Sequence, residues 1–254
     1  MGSYVTEAIV TGARRYGEAD RLITLLTLDR GRKSAIAKSA RKAKSKFAGS
    51  TETFIKAKFE LAEGRSLDIV RHAEVISANL ALRENWTRLQ LAGHVAEIAN
   101  KMGEEGVPDP QLYHLLDEAI SGITEDRIGS VLIFKVGVLS HMGIFPDLGG
   151  CVECGKTRAT GQVHLDISRD GFLCSDCASE RHIYQPVQME VLYLLHSINR
   201  GDGFGDDVSK VAIESAEDVL TVLLQGFLQA GFKTVKAARH ARNSSGADTN
   251  DDKV

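Results

Sequence analysis

The chain has 254 residues, 43% hydrophobic and 26% charged, with a net charge of −3. That composition fits a soluble globular protein of one large domain or two ordinary ones. No apolar run approaches the roughly 18 residues of a membrane span. Met1-Gly2-Ser3-Tyr4 also lacks the basic region and apolar core of a secretory signal, so a cytoplasmic protein is expected and the membrane and secreted classes are excluded. The small net charge hides a split. Residues 1–80 hold 15 Lys and Arg against 9 Asp and Glu, whereas the remainder holds 16 against 25. Two modules with different partners are expected, the basic one facing a polyanion.

Residues 4–76 read as short strands. Thr6 to Val10 opens the chain, and Ala13-Arg14-Arg15-Tyr16-Gly17 reads as a polar turn. Leu22 to Leu28 is apolar on both faces apart from its threonines, as in a central strand. Asp29-Arg30-Gly31 is a tight-turn signal, and Lys33 to Lys38 forms the next strand. Thr53 to Leu61 alternates, with Ile55, Ala57, Phe59 and Leu61 on one face and Lys56, Lys58 and Glu60 on the other. Glu63-Gly64-Arg65 turns the chain, and Leu67 to Ile76 returns. Five strands with no long helix among them predict a small closed barrel, with the five-stranded OB-fold as candidate.

From Ser77 the period changes. Leu80, Leu82, Trp86, Leu89, Val95 and Ile98 suit one or two amphipathic helices ending near Met102-Gly103. Glu104 to Pro110 is a linker, and Leu112 to Ile120 marks another helix. Val131 to Met142 is almost wholly apolar but too short for a membrane, so a buried helix is expected. Helices are also expected over Val187 to Ile198 and Val211 to Phe232. The fold class is therefore α+β. An OB-fold barrel spans 1–77, and a helical domain spans 78–238 with a cysteine module inserted at 147–180. A polar tail at 239–254 is expected to be disordered.

All four cysteines lie in that module. Cys151, Cys154, Cys174 and Cys177 read C-x2-C-x19-C-x2-C, within the spacing of a four-thiolate zinc site. Two Cys-x-x-Cys turns closed by a hairpin can place four sulfurs at the corners of a tetrahedron. Gly155 can take positive φ, turning backbone N–H groups toward the thiolates. Val163, Leu165 and Ile167 alternate with polar residues before an Asp170-Gly171 turn, as in a β-ribbon. Two disulfides would need an oxidising compartment. A redox CxxC sits alone at a helix start in a βαβ unit, which is not found. With four protein ligands the zinc, one per chain, is expected to be structural.

The second candidate site is the basic stretch. Arg30, Arg32, Lys33, Lys38, Arg41, Lys42, Lys44 and Lys46 occur in 17 residues with no acidic residue among 30–46. Phosphate contact across an OB-fold face is the functional reading, against a merely solvated loop. Arg14, Arg15 and Arg21 could extend the surface, and Phe47, Phe54 or Tyr16 could stack bases. No G-x-S-x-G, H-E-x-x-H or Walker A pattern occurs. Gly201 to Gly205 joins two helices and follows no strand, and the eight histidines are scattered. An enzyme is not expected.

The stretch YGEADRLITLLTLDRGRKSAIAKSARKAKSKFAGSTETF at 16–54 resembles the bacterial recombination and repair family RecO. So do GIFPDLGGCVECG at 143–155 and GFLCSDC at 171–177, in the family's zinc version. The resemblance runs from residue 4 to about 235. It implies an OB-fold joined to a helical domain, binding of single- and double-stranded DNA, and annealing of complementary strands. It further implies partnership with RecR and with the tail of the single-stranded DNA-binding protein SSB, in helping to load RecA. Localisation would be cytoplasmic and nucleoid-associated. Carried over by position, the DNA surface would be the eleven basic residues and the metal ligands the four cysteines. The rivals are an RNA-binding or ribosome-associated OB/zinc protein and a scaffolding adaptor whose basic loop meets an acidic protein.

Overall fold

The computed structural model describes residues 2–157, 162–166, 171–178, 185–205 and 208–228. The expected tail at 239–254, Ile167 and Asp170 of the ribbon, and the helix beyond 228 lie outside these residues.

The first five strands are β1 (Ser3–Tyr16), β2 (Asp20–Thr27), β3 (Gly31–Ala37), β4 (Lys56–Ala62) and β5 (Asp68–Ser77). They close into a barrel in the order β1-β2-β3-β5-β4. β3 meets β5 in parallel through Ala35↔Asp68 and Ile36↔Ile69, and the other pairings are antiparallel. This is the OB-fold expected from the alternation. Inward-facing Ala8, Val10, Ile23, Leu25, Ala57, Phe59 and Leu61 fill the interior. Small alanines beside large residues suit a narrow barrel.

Two local readings change. Ala13 to Tyr16 is strand, not turn: β1 pairs with β2 through Tyr16↔Asp20, with a bulge between Val10 and Gly12. Arg14, Arg15 and Tyr16 are all exposed where this hairpin projects, so no apolar alternation marks it. β4 begins at Lys56, because residues 38–55 form consecutive turns and Phe54 has φ +67°. Ala40, Phe47 and Ile55 of that segment nevertheless enter the barrel core.

Three helices follow: α1 (Ala81–Glu84), α2 (Trp86–Met102) and α3 (Pro110–Thr124). Asn85 caps α2 by accepting the N–H of Arg88, and Asp109 caps α3 by accepting that of Leu112, with Pro110 behind it. These are favoured N-terminal residues, satisfying donors that have no partner inside the helix. α2 packs on β1 and α3 on β2. The α2–α3 connection also pairs with the edge of β3: Arg32 N–H donates to Glu104 O and Gly106 N–H to Arg32 O. Gly31 makes this approach possible, since a Cβ there would stand 2.1 Å from Val107 O.

The compact units accordingly divide between Ile128 and Gly129. The strand pattern gives way to helices near 77, but α1–α3 pack with the barrel. The second unit contains α4 (Ser130–His141), a four-stranded sheet, α5 (Met189–Asn199) and α6 (Lys210–Leu228). Its strands are β6 (Asp147–Cys151), β7 (Gln162–Asp166), β8 (Gly171–Leu173) and β9 (Gln185–Gln188), in the order β6-β8-β7-β9. Val187, expected in a helix, pairs instead with Val163 in β9. α4 packs on α5 and α6 and is buried nearly all round, as its composition requires. Its one charged residue within the core, Lys135, sends Nζ to Thr221 Oγ1 at 2.8 Å and to Glu217 O at 3.2 Å on α6. No helix of the described residues is long and apolar enough to cross a membrane.

Candidate metal centre and nucleic-acid interface

The cysteine module builds its site from two short knuckles on β6 and β8. Cys151 ends β6, and Cys174 directly follows β8. The two strands pair at Cys151↔Phe172, which brings the first sulfurs together. Each chain then turns back: Gly155 N–H donates to Cys151 O at 2.8 Å, and Cys177 N–H to Cys174 O at 3.0 Å. Gly155 takes φ +69°, the positive value expected of it. The four Sγ atoms all lie within 4.8 Å of one another, with Cys154 and Cys174 at 3.8 Å. Cys174 N–H points at Cys151 Sγ, 3.4 Å away. Burial raises the Cys151 thiol, but the N–H groups of Cys174, Cys154 and Glu153 outweigh it and hold it down to about 6. Cys177 is pushed up to about 12 by hydrogen bonding with Cys154 and Cys174. Crowded thiolates repel one another, and a bound divalent cation would offset that repulsion. The donor set is that of a site for a thiophilic metal.

The barrel distributes the basic residues over two of its ends. One end holds the β1–β2 hairpin and the 38–46 segment. Arg41 N–H donates to Ala19 O, and Arg41 Nη1 to Glu18 O at 2.9 Å, so segment and hairpin lie together. Arg14, Arg15, Lys38, Arg41, Lys42, Lys44 and Lys46 are exposed here. Lys46 Nζ reaches Arg71 O on β5, which brings exposed Arg71, a residue the sequence reading did not single out, to the same end. Its signal was faint: one arginine in a strand. Arg21 is half-buried and holds Glu52 at 2.5 Å, Thr51 Oγ1 at 2.8 Å and Ala48 O at 3.0 Å.

Arg30 and Arg32 sit at the other end, around the β2–β3 turn. The Arg30 guanidinium lies 4.1 Å from the Tyr4 ring centroid, and Arg32 donates to Asn100 O at 2.9 Å. Lys33 is half-buried opposite Leu25, between the two ends. Of the candidate aromatics, Phe47 and Phe54 are buried, and Tyr16 is 44% exposed beside Arg15.

A closed OB barrel carrying its own helices, followed by a helical unit with a four-cysteine ribbon, defines a class of OB-fold proteins with a cysteine module. Within that class the chain belongs to the recombination protein O family. The family's N-terminal region, described as "Recombination protein O N terminal", matches residues 1–79, and "Recombination protein O C terminal" matches 83–235. Among similar proteins is the DNA repair protein RecO of Desulforudis audaxviator, 34% identical over 196 residues, which cover 77% of this chain and 78% of that one. The DNA repair protein RecO of Rubrobacter xylanophilus is 35% identical over 71% of this chain and 73% of its own. That of a Thermoanaerobacter species is 27% identical over 94% of this chain and 98% of its own.

Proposed function

We propose that this protein is a DNA-binding recombination mediator acting in DNA repair, without enzymatic activity of its own. It binds single- and double-stranded DNA, anneals complementary strands, and helps load RecA onto SSB-coated DNA together with RecR and the SSB tail. It works in the cytoplasm, associated with the nucleoid. Family membership supports the role, and the carrying observation is the exposed basic end of the barrel. There, seven Lys and Arg side chains from the β1–β2 hairpin and the 38–46 segment stand together. Such a surface suits phosphates, whose neutralisation releases counterions. The cysteine cluster holds one structural Zn2+ on this reading. Tetrahedral Zn–S bonds of about 2.3 Å require sulfurs about 3.8 Å apart, close to the Cys154–Cys174 separation. Bound zinc would fix the two knuckles and supply folding energy.

The test is fluorescence anisotropy with labelled oligonucleotides at several salt concentrations. Replacing Arg41, Lys42, Lys44 and Lys46 with Ala should weaken binding similarly for unrelated sequences, because phosphates carry no base identity. The slope of log affinity against log salt should shrink by roughly 0.7 per lost contact on a single strand. Circular dichroism should be unchanged, since exposed charges contribute at most about 1 kcal/mol each. A folded variant with unaltered affinity and slope would refute the interface, and preferential competition by RNA would refute the DNA role.

A further inference from the structure

We infer that Cys154 is the reactive thiolate of the cluster, a modification site at which a peroxide oxidises the centre and releases its metal. The inference rests on the zinc reading above.

The four sulfurs are unequal. Cys151 and Cys174 are buried, Cys177 is partly covered, and Cys154 is exposed. Cys151 Sγ also accepts the N–H of Cys174, and such a hydrogen bond draws charge from a thiolate. Exposure and thiolate character together govern oxidation, so attack falls on Cys154. A sulfur that can resolve it is at hand, since Cys174 Sγ lies 3.8 Å away on the second knuckle.

The chemistry needs only the peroxide. The Cys154 thiolate attacks one peroxide oxygen. An S–O bond forms, the O–O bond breaks, and hydroxide leaves, giving a sulfenic acid. The Cys174 thiolate then attacks the Cys154 sulfur. An S–S bond forms, the S–O bond breaks, and a second hydroxide leaves. Two protons convert the hydroxides to water, and the two sulfurs have together given two electrons to the peroxide. Cys151 and Cys177 cannot hold the cation alone, because two of its four ligands are gone. The disulfide would join the two knuckles directly, so reduction in the presence of the metal can restore the centre.

The experiment uses the full chain. Its metal content is measured first, by elemental mass spectrometry, because a chain purified without chelator and carrying no metal overturns the zinc reading itself. Metal-loaded protein is then treated with hydrogen peroxide. Released metal is followed with a chromogenic chelator, sulfenic acid is trapped with dimedone, and disulfides are mapped by mass spectrometry. The expected result is first trapping at Cys154, followed by loss of bound metal in step with a Cys154–Cys174 disulfide, all reversed by reductant plus zinc. First trapping at another cysteine of metal-loaded protein, or a disulfide that omits Cys154, would overturn the inference.

Discussion

At the scale of single residues, charge type does not predict role. Arg21 and Arg41 are both basic residues of the barrel, yet their surroundings differ. Arg21 is bound on three sides, by Glu52, Thr51 and Ala48, which tie β2 to the turns before β4. Among the described residues, Arg41 reaches only backbone oxygens of the hairpin, from an exposed position. Truncating Arg21 leaves a half-buried carboxylate and a hydroxyl without their donor. The charged hydrogen bonds lost are worth about 1–3 kcal/mol. Arg21→Ala should therefore lower the urea midpoint of the barrel, whereas Lys42→Ala should leave its unfolding free energy within about 0.5 kcal/mol of the wild type, as expected for an exposed site. Equal midpoints for the two variants would show that the Glu52 contact carries no stability. The distinction was invisible in sequence, because Glu52 lies 31 residues away along the chain.

At the scale of elements, the polar joint between barrel and helices decides where the first unit ends. Lys56 Nζ on β4 holds Asp117 of α3 at 2.7 Å and Glu7 of β1 at 3.1 Å. Tyr113 OH of α3 donates to Glu7 Oε1 at 2.9 Å, and Thr11 Oγ1 of β1 to Asn100 Oδ1 of α2 at 2.7 Å. A fragment of residues 1–128 should unfold cooperatively in urea, and a fragment of 1–80 should lose at least about 2 kcal/mol, given several such bonds broken. Equal midpoints would show that the helices are only appended.

The same joint gives an acid limb. Burial raises the Glu7 carboxyl, but hydrogen bonds from Tyr113 and Lys56 outweigh it and hold it below its ordinary value. A depressed folded value means the stabilisation is complete above the unfolded carboxylate range, near pH 4.3, and fades as pH falls through the folded value. Glu7→Gln should thus be less stable than the wild type at pH 7, with the gap narrowing under acid. Thermal melts at both pH values check it, and a constant gap would rule out this linkage.

Much of the element order could be read directly. Ala57, Phe59 and Leu61 alternate, and two CxxC pairs at zinc spacing converge as their pattern requires. The basic run was harder. Residues 30–46 looked like one surface, but Arg30 precedes β3 and Arg32 is its second residue, whereas the 38–46 segment follows its end at Ala37. At about 3.3 Å per residue the strand carries Arg32 roughly 20 Å from Lys38. The packing of α2 and α3 on the barrel rests on pairs such as Thr11 and Asn100, distant in sequence and not apolar, so no periodicity announces it.

For the whole molecule, the cysteine cluster and the basic surface fall in different compact units. The four cysteines belong to residues 129–231, and all eleven basic candidates belong to residues 1–128. The single tryptophan separates their signals. Trp86 lies at the start of α2, in the first unit, and is 70% exposed. Its fluorescence reports that unit, whereas far-ultraviolet circular dichroism sums the helices of both. A four-thiolate site contributes its binding energy to folding of the elements that carry it. Here these are β6 and β8, in a unit where α4, α5 and α6 pack on one another. Stripping the metal with a strong chelator should therefore lower the temperature at which part of the dichroism signal is lost. The tryptophan transition should hold its midpoint, and oligonucleotide affinity should persist, because no barrel residue is a metal ligand. Re-adding zinc should restore the dichroism melt. If chelation shifts the tryptophan transition or abolishes DNA binding, the metal supports more of the molecule than the unit that contains its ligands.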